Sequence, residues 1–394
     1  MNKLTIDTDY LLQVLGKLLR TPSPTGFTDN VVRLVTSELA AMGLDAELTR
    51  RGAIRAIRRG KDPRGARAIV SHVDTLGAQV KALKENGRLA IVPIGHWSSR
   101  FAEGARCTIF SEKGTYRGSI LPLKASGHTF NKEIDTQPVS WDNVEVRVDA
   151  YAKGLPELHK LGIEIGDIIA IDTETEFLEN GYIVSRHLDD KAGVAIMLAA
   201  IRALQHEGKE TPVDVHFLFT IAEEVGVGAS SILLPEVASL VAIDNGTTAP
   251  GQNSDEFGVT LAMADQTGPF DYHLCKKLAL LCHDNDIRYQ KDVFRYYRSD
   301  SASALESGAD VRTGLITFGV DASHGYERIH LHALRSVAEL VTAYVASPVK
   351  IERDFDQFSD LSGFTRMPSK KAKQELSIDA ELADPDHDLH QGSR

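Results

Sequence analysis

Apolar and polar positions recur with helical spacing near the start of the chain. Leucine and valine residues three and four apart run along 8–20, and a second helical segment covers about 28–42 before Gly43. Residues with this spacing share one face of a helix, so the pattern predicts two amphipathic helices. Between them, 21–26 reads Thr-Pro-Ser-Pro-Thr-Gly, and its prolines and glycine predict a break.

The pattern changes twice further along the chain. From 78 to 176, short runs of alternating polarity are broken by glycines and polar turns, which is typical of a small β-rich module. After 183, helical and strand patterns alternate, which favours an α/β sheet with helices on both faces. The predicted elements outside the module are strands at 68–70, 213–220, 240–243 and 314–319, and helices at 190–207, 229–235, 268–286 and 328–345.

These elements predict an α/β fold in which a mixed sheet is flanked by helices and carries an insertion. Residues 1–77 and 177–350 would form one discontinuous catalytic domain, and 78–176 an inserted β-rich domain. The segment 351–394 is polar and has no apolar periodicity, so we expect it to be a partly disordered tail.

Composition narrows the classes of function. The chain has 394 residues with 44 basic and 55 acidic side chains, a net charge of −11, which argues against nucleic acid or an anionic membrane as the main partner. No apolar run approaches the ~18 residues of a membrane span. The three cysteines form no C-x-x-C pair, and the first residues lack the apolar core of a signal peptide. These features predict a cytoplasmic protein.

Acidic and histidine residues follow the predicted strands at five places. Taken singly, each has an ordinary explanation, such as a helix cap, a solvated first helical turn or a polar turn. Taken together they favour a metal site, because strand ends meet at one edge of an α/β sheet and grouped carboxylates need a compensating charge. The five segments are His72-Val73-Asp74, Asp189-Asp190, Glu223-Glu224, Asp244 and His324.

This set of residues matches what two adjacent divalent cations require. Such a site uses two histidines, one carboxylate shared by both ions, two further carboxylates and one unligated acid as a base. Nitrogen and oxygen ligands of this kind suit zinc, with cobalt or manganese as alternatives. The pattern therefore predicts hydrolysis of an amide bond with two metal ions per chain.

The motifs resemble those of the tetrahedral or glutamyl (deblocking) aminopeptidases, a family of dinuclear metallopeptidases. The resemblance covers about 8–350 and includes the insertion, which falls early, between His72 and Asp189. In related deacetylases the extra domain falls late. The matching segments are Thr-Pro-Ser-Pro-Thr-Gly-Phe at 21–27, Leu-Asp-Asp-Lys-Ala-Gly at 188–193, Ala-Glu-Glu-Val-Gly at 222–226 and Ser-Asp-Ser-Ala at 299–302.

The resemblance implies a zinc-peptidase-like catalytic domain and a role for each matching residue. Asp189 would bridge both metals and precede a cis peptide bond. Glu223 would be the general base, Asp74 would orient a ligand, and Asp300 would cap a helix beside the pocket. The implied metal ligands are His72, Asp189, Glu224, Asp244 and His324.

The resemblance also implies partners. The family forms dimers through the inserted domain and often tetrahedral dodecamers, so we expect a homo-oligomer that acts on short peptides or small amides. The pattern is most similar to a subfamily that accompanies synthesis of the osmoprotectant N-acetylglutaminylglutamine amide. Some departures stand near the motifs, such as Thr75-Leu76-Gly77 after Asp74, and none of them removes a ligand.

Two other functions remain open at this point. A glycosidase could use two carboxylates without metal, but His72 and His324 would then have no role. A non-catalytic scaffold could keep the fold, although the complete ligand set argues against it.

Overall fold

The structure is a computed structural model that describes residues 3–351 and 354–355. Its helices are α1 (Thr8–Leu19), α2 (Asp29–Ala41), α3 (Gly127–Phe130), α4 (Glu133–Thr136), α5 (Leu155–Leu161), α6 (Leu188–His206), α7 (Tyr272–Asp284), α8 (Asp300–Glu306) and α9 (Leu331–Ala346). Its strands are β1 (Ala46–Leu48), β2 (Ile54–Arg58), β3 (Asp62–His72), β4 (Gly77–Leu83), β5 (Arg88–Ile94), β6 (Arg106–Ser111), β7 (Gly114–Pro122), β8 (Val144–Val148), β9 (Ile168–Ile171), β10 (Glu176–Phe177), β11 (Tyr182–Ser185), β12 (Val213–Thr220), β13 (Val237–Thr247), β14 (Val259–Asp265), β15 (Gly268–Pro269), β16 (Tyr289–Val293), β17 (Arg312–Val320) and β18 (Glu327–His330).

A large mixed sheet forms the centre of the molecule. Its strand order is β1-β2-β12-β3-β13-β17-β14-β15, with β16 beside β14. The four strands β12, β3, β13 and β17 are parallel neighbours, so their carboxyl ends lie at one edge. All eight residues of β12 are buried, as expected for a strand covered on both faces. The predicted mixed sheet flanked by helices is confirmed.

The β-rich insertion is a closed barrel. Its strand order is β4-β5-β8-β7-β6-β9, and closure leaves no free edge in the ring. The barrel has its own apolar core, in which Val80, Leu89, Ile109, Val146 and Ile169 are almost fully buried. It also carries the short helices α3, α4 and α5, which the alternating pattern did not predict.

The helices follow the chain's apolar patterns closely at most positions. Asp7 caps α1 by accepting a hydrogen bond from the backbone N–H of Tyr10, at 2.9 Å. Helix α6 is buried over most of its length and packs against α1, α9 and β3, which explains why its sequence is apolar all round. Cys275 and Cys282 are both buried on α7.

Several sequence predictions needed correction. The helix predicted at 229–235 is wrong, because that segment consists of turns. The helices predicted from 268 and 328 begin later, at Tyr272 and Leu331, since the strands β15 and β18 precede them. Strand β13 extends well beyond the predicted 240–243, so Asp244 lies within it.

Residues Met1–Pro348 form one compact unit that contains both the sheet and the barrel. Most of the predicted tail, 351–394, lies outside the described residues. Among the described residues, no helix is both long enough and apolar enough to cross a bilayer.

A buried carboxylate connects two strands of the barrel and the turn before β5. Glu145 on β8 has a side chain only 2% exposed, and it forms ion pairs with Lys84, at 2.6 Å, and with Arg88. Burial raises the pKa of Glu145, but the hydrogen bonds from Lys84 and Arg88 outweigh that effect and hold it below the ordinary value of 4.5. The charged form of Glu145 therefore stabilises the folded barrel.

We predict that Glu145→Gln lowers the free energy of unfolding at pH 7 by on the order of 1–3 kcal/mol, because two cations lose their partner while remaining about a third exposed. The folded pKa is depressed, so this contribution is present above the unfolded pKa and is lost as pH falls through the folded value. Urea unfolding monitored by Trp97 and Trp141 fluorescence, at pH 7 and pH 3.5, measures it. Exposed Glu112→Gln is the control, and an equal deficit at both pH values would contradict the prediction.

Candidate active site

The five acidic and histidine segments converge at the carboxyl edge of the sheet. His72 is the last residue of β3, and Glu223 follows the neighbouring strand β12 after a short turn. Asp244 lies near the end of β13, Asp189 at the start of α6, and His324 in the loop between β17 and β18. Parallel neighbouring strands bring their ends together, and this places the predicted residues close to one another, with His72 and Asp74 fully buried beside the others.

Asp189 lies between the two histidines. Its Oδ1 is 3.2 Å from Nε2 of His72, and its Oδ2 is 3.3 Å from Nε2 of His324. Asn245 also donates a hydrogen bond to Oδ2, at 2.6 Å. Burial opposes ionisation of Asp189, but hydrogen bonds from His324 and His72 lower its pKa. One carboxylate therefore presents a different oxygen to each imidazole.

Two groups of side chains have the spacing of metal ligands. One contains Asp189, Glu224 and His324, and the other contains His72, Asp244 and Asp190, with ligand atoms within 4.8 Å of one another in each group. The second group thus includes Asp190, to which the sequence analysis assigned no ligand role.

Asp190 has its hydrogen-bonding capacity occupied by the protein. Its carboxylate accepts hydrogen bonds from the Ser71 hydroxyl, at 2.5 Å, and from the backbone N–H groups of His72 and Gly193, both at 3.2 Å. The peptide bond between Asp189 and Asp190 is cis, as the family resemblance implies. These contacts fasten the start of α6 to the end of β3.

The adjacent acids Glu223 and Glu224 face different histidines. Oε2 of Glu223 lies 3.8 Å from Nε2 of His72, and Oε2 of Glu224 lies 3.8 Å from Nε2 of His324. Oε1 of Glu224 is buried without a hydrogen-bond partner among the described residues. An unpaired buried carboxylate oxygen is costly, and a cation would compensate for it.

Asp74 fixes the backbone of the acidic pair and one histidine. Its Oδ1 accepts from the N–H of Glu223 at 3.1 Å, and its Oδ2 accepts from the Thr25 hydroxyl at 2.6 Å and from the N–H of Glu224 at 3.4 Å. Nδ1 of His72 lies 3.0 Å from the Asp74 carbonyl oxygen, so its Nε2 is turned toward Asp189. Asp74 therefore contacts both His72 and the backbone of the acidic pair, and its role as an orienting residue stays a prediction.

Glu327 performs a similar task on the other side and was missed by the sequence analysis. Its carboxylate accepts hydrogen bonds from the backbone N–H of Asp189, at 3.1 Å, and of His324, at 2.9 Å. The sequence signal was present, because Glu327 follows His324 by three residues and is therefore near it in any tight turn. Nδ1 of His324 lies 2.9 Å from the carbonyl oxygen of His96, which belongs to the inserted barrel.

Asp300 has a different position from the predicted one. Ser299, and not Asp300, caps α8 by accepting a hydrogen bond from the N–H of Ser301. The Asp300 carboxylate instead accepts a hydrogen bond from the Thr220 hydroxyl at the end of β12, at 2.8 Å. The expectation of a helix cap is wrong because the serine before Asp300 already occupies the cap position.

The concentration of carboxylates raises the pKa of most of them. Burial, followed by the negative charge of Asp189, raises the pKa of Asp244 to about 7. Burial, together with the charges of Asp244 and Asp300, raises the pKa of Glu223 well above its usual value. Nitrogen and oxygen donors with an excess of buried negative charge fit divalent cations of the zinc type.

Five of the predicted site residues line a cavity of about 700 Å³, namely Asp189, Glu223, Glu224, Asp244 and His324. The wall contains Val225, Gly228 and Gln266, and the barrel contributes Gly95 and His96. A second wall, Tyr296-Tyr297-Arg298, comes from the loop before α8 and was missed by the sequence analysis, which had no acidic or histidine signal there.

The comparisons with known proteins agree with this geometry. The model of the M42 glutamyl aminopeptidase family matches residues 52–340. A putative aminopeptidase, YhfE of Bacillus subtilis, is 38% identical over 339 residues, which are 86% of this chain and 98% of that protein. The lysyl aminopeptidase of Pyrococcus furiosus is 26% identical over 235 residues, which are 57% of this chain and 64% of the relative.

Solved structures share the fold. A TET aminopeptidase from a marine sediment archaeon of the Thaumarchaeota has a TM-score of 0.81 at 19% identity, with 89% of this chain and all of that one covered. The TET1 peptidase of Pyrococcus horikoshii has a TM-score of 0.76 at 21% identity, with 85% and 99% covered. The family model, the relative in Bacillus and the converging site agree, and the chain belongs to the M42 glutamyl aminopeptidase family of hydrolases that act on peptide bonds.

Proposed function

We propose that the chain removes N-terminal residues from short peptides with two divalent metal ions and Glu223 as the general base. Metal dependence is a property of the family. The observation that carries the finer proposal is the position of Asp189, whose two carboxylate oxygens face His72 and His324 separately. A carboxylate placed in this way suits a pair of cations better than a single one.

The proposed ligands divide into two sets that share Asp189. One ion would be held by His72, Asp189 and Asp244, and the other by Asp189, Glu224 and His324. Support comes from the spacing of the two side-chain groups and from the unpaired oxygen of Glu224. The donor set suits zinc, with cobalt or manganese as alternatives. Asp190 is excluded from the proposal because its carboxylate is occupied by hydrogen bonds from the protein.

The proposed mechanism assigns proton transfer to Glu223. When bound, the metal ions would polarise the scissile carbonyl and lower the pKa of the attacking water. Glu223 accepts a proton from the water and later gives it to the leaving amine, because its carboxylate lies in the pocket and has no hydrogen-bond donor from a neighbouring side chain among the described contacts. Asp74 keeps Glu223 in place through the backbone hydrogen bond to Oδ1.

The substrate and the assembly are part of the same proposal. A cavity of about 700 Å³ that opens beside the proposed metal ligands suits the end of a short peptide or a small amide. A neighbouring fold, TET1 of Pyrococcus horikoshii, assembles into a tetrahedron or an octahedral shell, and we propose that this chain also forms homo-oligomers, with the barrel as the dimerisation domain. The link to osmoprotectant synthesis and the cytoplasmic location stay predictions.

The alternative of a metal-free glycosidase is disfavoured by the histidines. His72 and His324 are both oriented toward Asp189 by contacts to their Nδ1 atoms. Hydrolysis of a glycoside by two carboxylates gives these imidazoles no task. A non-catalytic scaffold is disfavoured as well, because it would have no use for a cluster of buried carboxylates.

One test of the proposed function is metal removal. We expect the protein to hydrolyse aminoacyl-arylamides, to lose this activity on dialysis against a chelator, and to regain it with zinc, cobalt or manganese. A colorimetric assay with metal analysis of the same samples measures both quantities. Hydrolysis that is indifferent to the chelator would reject the proposal, and release of sugar from glycosides after metal removal would favour the glycosidase.

The second prediction separates the base from the ligands. Glu223→Gln should lower kcat by at least about 10³-fold, because the amide cannot accept the proton from water. Metal content should stay at two ions per chain. Exposed Glu179→Gln is the control and should behave as the wild type. Loss of one metal ion in Glu223→Gln would show instead that Glu223 is a ligand.

The third prediction concerns Asp74 as a positioning residue. Asp74→Asn replaces one carboxylate oxygen with an N–H₂, which leaves the N–H of Glu223 or of Glu224 without its acceptor, so kcat should fall about 10–100-fold. The metal-free protein should also lose on the order of 1–3 kcal/mol of unfolding free energy, measured by urea titration in chelator. Asp45→Asn, at an exposed position, is the control. Wild-type stability and rate in Asp74→Asn would contradict the role.

A further inference from the structure

The segment between α1 and α2 has no role in the proposed mechanism, although its sequence is distinctive. Residues 21–27 read Thr-Pro-Ser-Pro-Thr-Gly-Phe. The Thr25 hydroxyl donates a hydrogen bond to Oδ2 of Asp74 at 2.6 Å, and the two residues are 49 positions apart in the sequence. Asp74 is fully buried and belongs to the candidate active site, so the segment reaches the site through this contact.

A tight turn places the Thr25 side chain. The N–H of Phe27 donates to the carbonyl oxygen of Pro24 at 2.8 Å, and Gly26 between them has a φ of +90°. A positive φ at the third residue of a turn is typical of type II, which favours glycine there. Hydroxyl groups in turns commonly bond to the neighbouring backbone. The Thr25 hydroxyl bonds instead to a side chain that is remote in sequence, which indicates a specific contact.

The backbone of the segment is attached to the sheet and to α6. After β3, the N–H of Thr75 donates to the Ser23 carbonyl oxygen at 2.9 Å, and the N–H of Thr25 donates to the Thr75 carbonyl oxygen at 3.1 Å. At the start of the segment, the buried ammonium group of Lys191 on α6 donates to the carbonyl oxygen of Thr21. The fold therefore sets the position of the hydroxyl, and little further ordering is needed.

The Asp74 carboxylate accepts from this hydroxyl and from two backbone N–H groups. Its Oδ1 accepts from Glu223 at 3.1 Å, and its Oδ2 accepts from Glu224 at 3.4 Å. The bond from Thr25 is shorter than either of them. The last torsion of an aspartate side chain has no sharp intrinsic preference, so hydrogen bonds decide the plane of the carboxylate. The bond from Thr25 therefore restrains the plane in which both oxygens meet the acidic pair.

We infer that Thr25 is a positioning residue, whose hydroxyl holds the Asp74 carboxylate in the plane that fixes the backbone of Glu223 and Glu224. This inference rests on the proposed function, in which Glu223 is the base and Glu224 is a metal ligand. Thr25 acts through Asp74 and is itself neither a ligand nor a base. Without the hydroxyl, the Asp74 carboxylate can turn, and the two glutamates lose part of their alignment.

A purely structural role would have a different experimental signature. If the hydroxyl only gave a buried carboxylate one more donor, its removal would lower the free energy of unfolding. The rate and the metal affinity of the folded protein would then stay unchanged. A loss of kcat and of metal affinity in a protein that is still folded therefore separates positioning from stability.

The test is Thr25→Val, which replaces the hydroxyl with a methyl group and keeps the branched shape. We expect kcat on an aminoacyl-arylamide to fall about 10-fold, with KM changed less than about twofold. Thr25→Ser restores the hydroxyl and should recover kcat to within about threefold of the wild type. Thr36→Val on α2 is the matched control, since it removes a half-buried hydroxyl that bonds to the carbonyl oxygen of Val32.

Metal affinity gives a readout that does not depend on turnover. Because Glu224 is a proposed ligand, competition for zinc with a chromogenic chelator should show that Thr25→Val binds one of two ions about 10-fold more weakly. Thr36→Val should bind both ions as the wild type does. Thr25→Ala, which lacks the hydroxyl and adds no bulk, replaces Thr25→Val in both measurements if the valine variant does not fold.

Three results would overturn the inference. They are a wild-type kcat in a folded variant without the hydroxyl, a wild-type zinc affinity in that variant, and a Thr25→Ser variant as slow as Thr25→Val. A wild-type protein without chelator-sensitive hydrolysis would overturn the proposed function and this inference with it. An active wild type with an equally active Thr25→Val would overturn the inference alone.

Discussion

The structure depends on the burial of several carboxylates around one aspartate. Asp189 is paired with an imidazole at each of its oxygens, whereas Glu224 keeps an unpaired buried oxygen and Asp244 has a raised pKa of about 7. Two histidines cannot neutralise this set, because burial penalises every charge that remains. Divalent cations would compensate for this excess of buried negative charge, and the contacts around the site hold the carboxylates in an arrangement that suits them.

Hydrogen bonds from backbone N–H groups hold most of the site residues in place. Asp74 and Glu327 are not turned toward the pocket; each accepts hydrogen bonds from backbone N–H groups of proposed catalytic or ligand residues. Asp190 likewise accepts from the backbone N–H groups of His72 on β3 and Gly193 on α6. The barrel also takes part, since the carbonyl of His96 fixes the ring of His324. An insertion that is distant in sequence from His324 thus determines the direction in which that imidazole points.

Most of the fold could be predicted because its elements carry strong periodic signals. The apolar residues predicted these elements correctly in three cases: the amphipathic helices α1 and α2, the wholly buried strand β12, and the alternating strands of the barrel. The segment at 229–235 failed because its apolar residues fill turns that pack on the core, and propensity cannot distinguish that from a short helix. Strand bounds failed at β13 because polar residues of the site continue the strand, where polarity normally marks its end.

The residues of the candidate site also fall into those that the sequence predicts and those that it does not. Acids and histidines at strand ends could be found because each kind of residue is unusual in that position. Ser71 and Asn245 could not, since a hydroxyl or an amide near a strand end is common and its importance depends on which neighbour the fold supplies. Asp300 illustrates the limit, because a helix cap and a partner for Thr220 require the same residue type at the same place.

The division between strand ends and loops also separates two properties of the enzyme. Three proposed ligands, His72, Asp244 and Asp189, lie on strands and on α6, where packing leaves little freedom. The other two, Glu224 and His324, lie in turns whose backbone N–H groups donate to Asp74 and Glu327. The cavity wall at 296–298 and the barrel segment at 95–96 lie on loops, which can change without disturbing the sheet. The loop at 296–298 leads directly into α8, whose Asp300 accepts a hydrogen bond from Thr220 at the end of β12, so this wall of the cavity is attached to the sheet at one end.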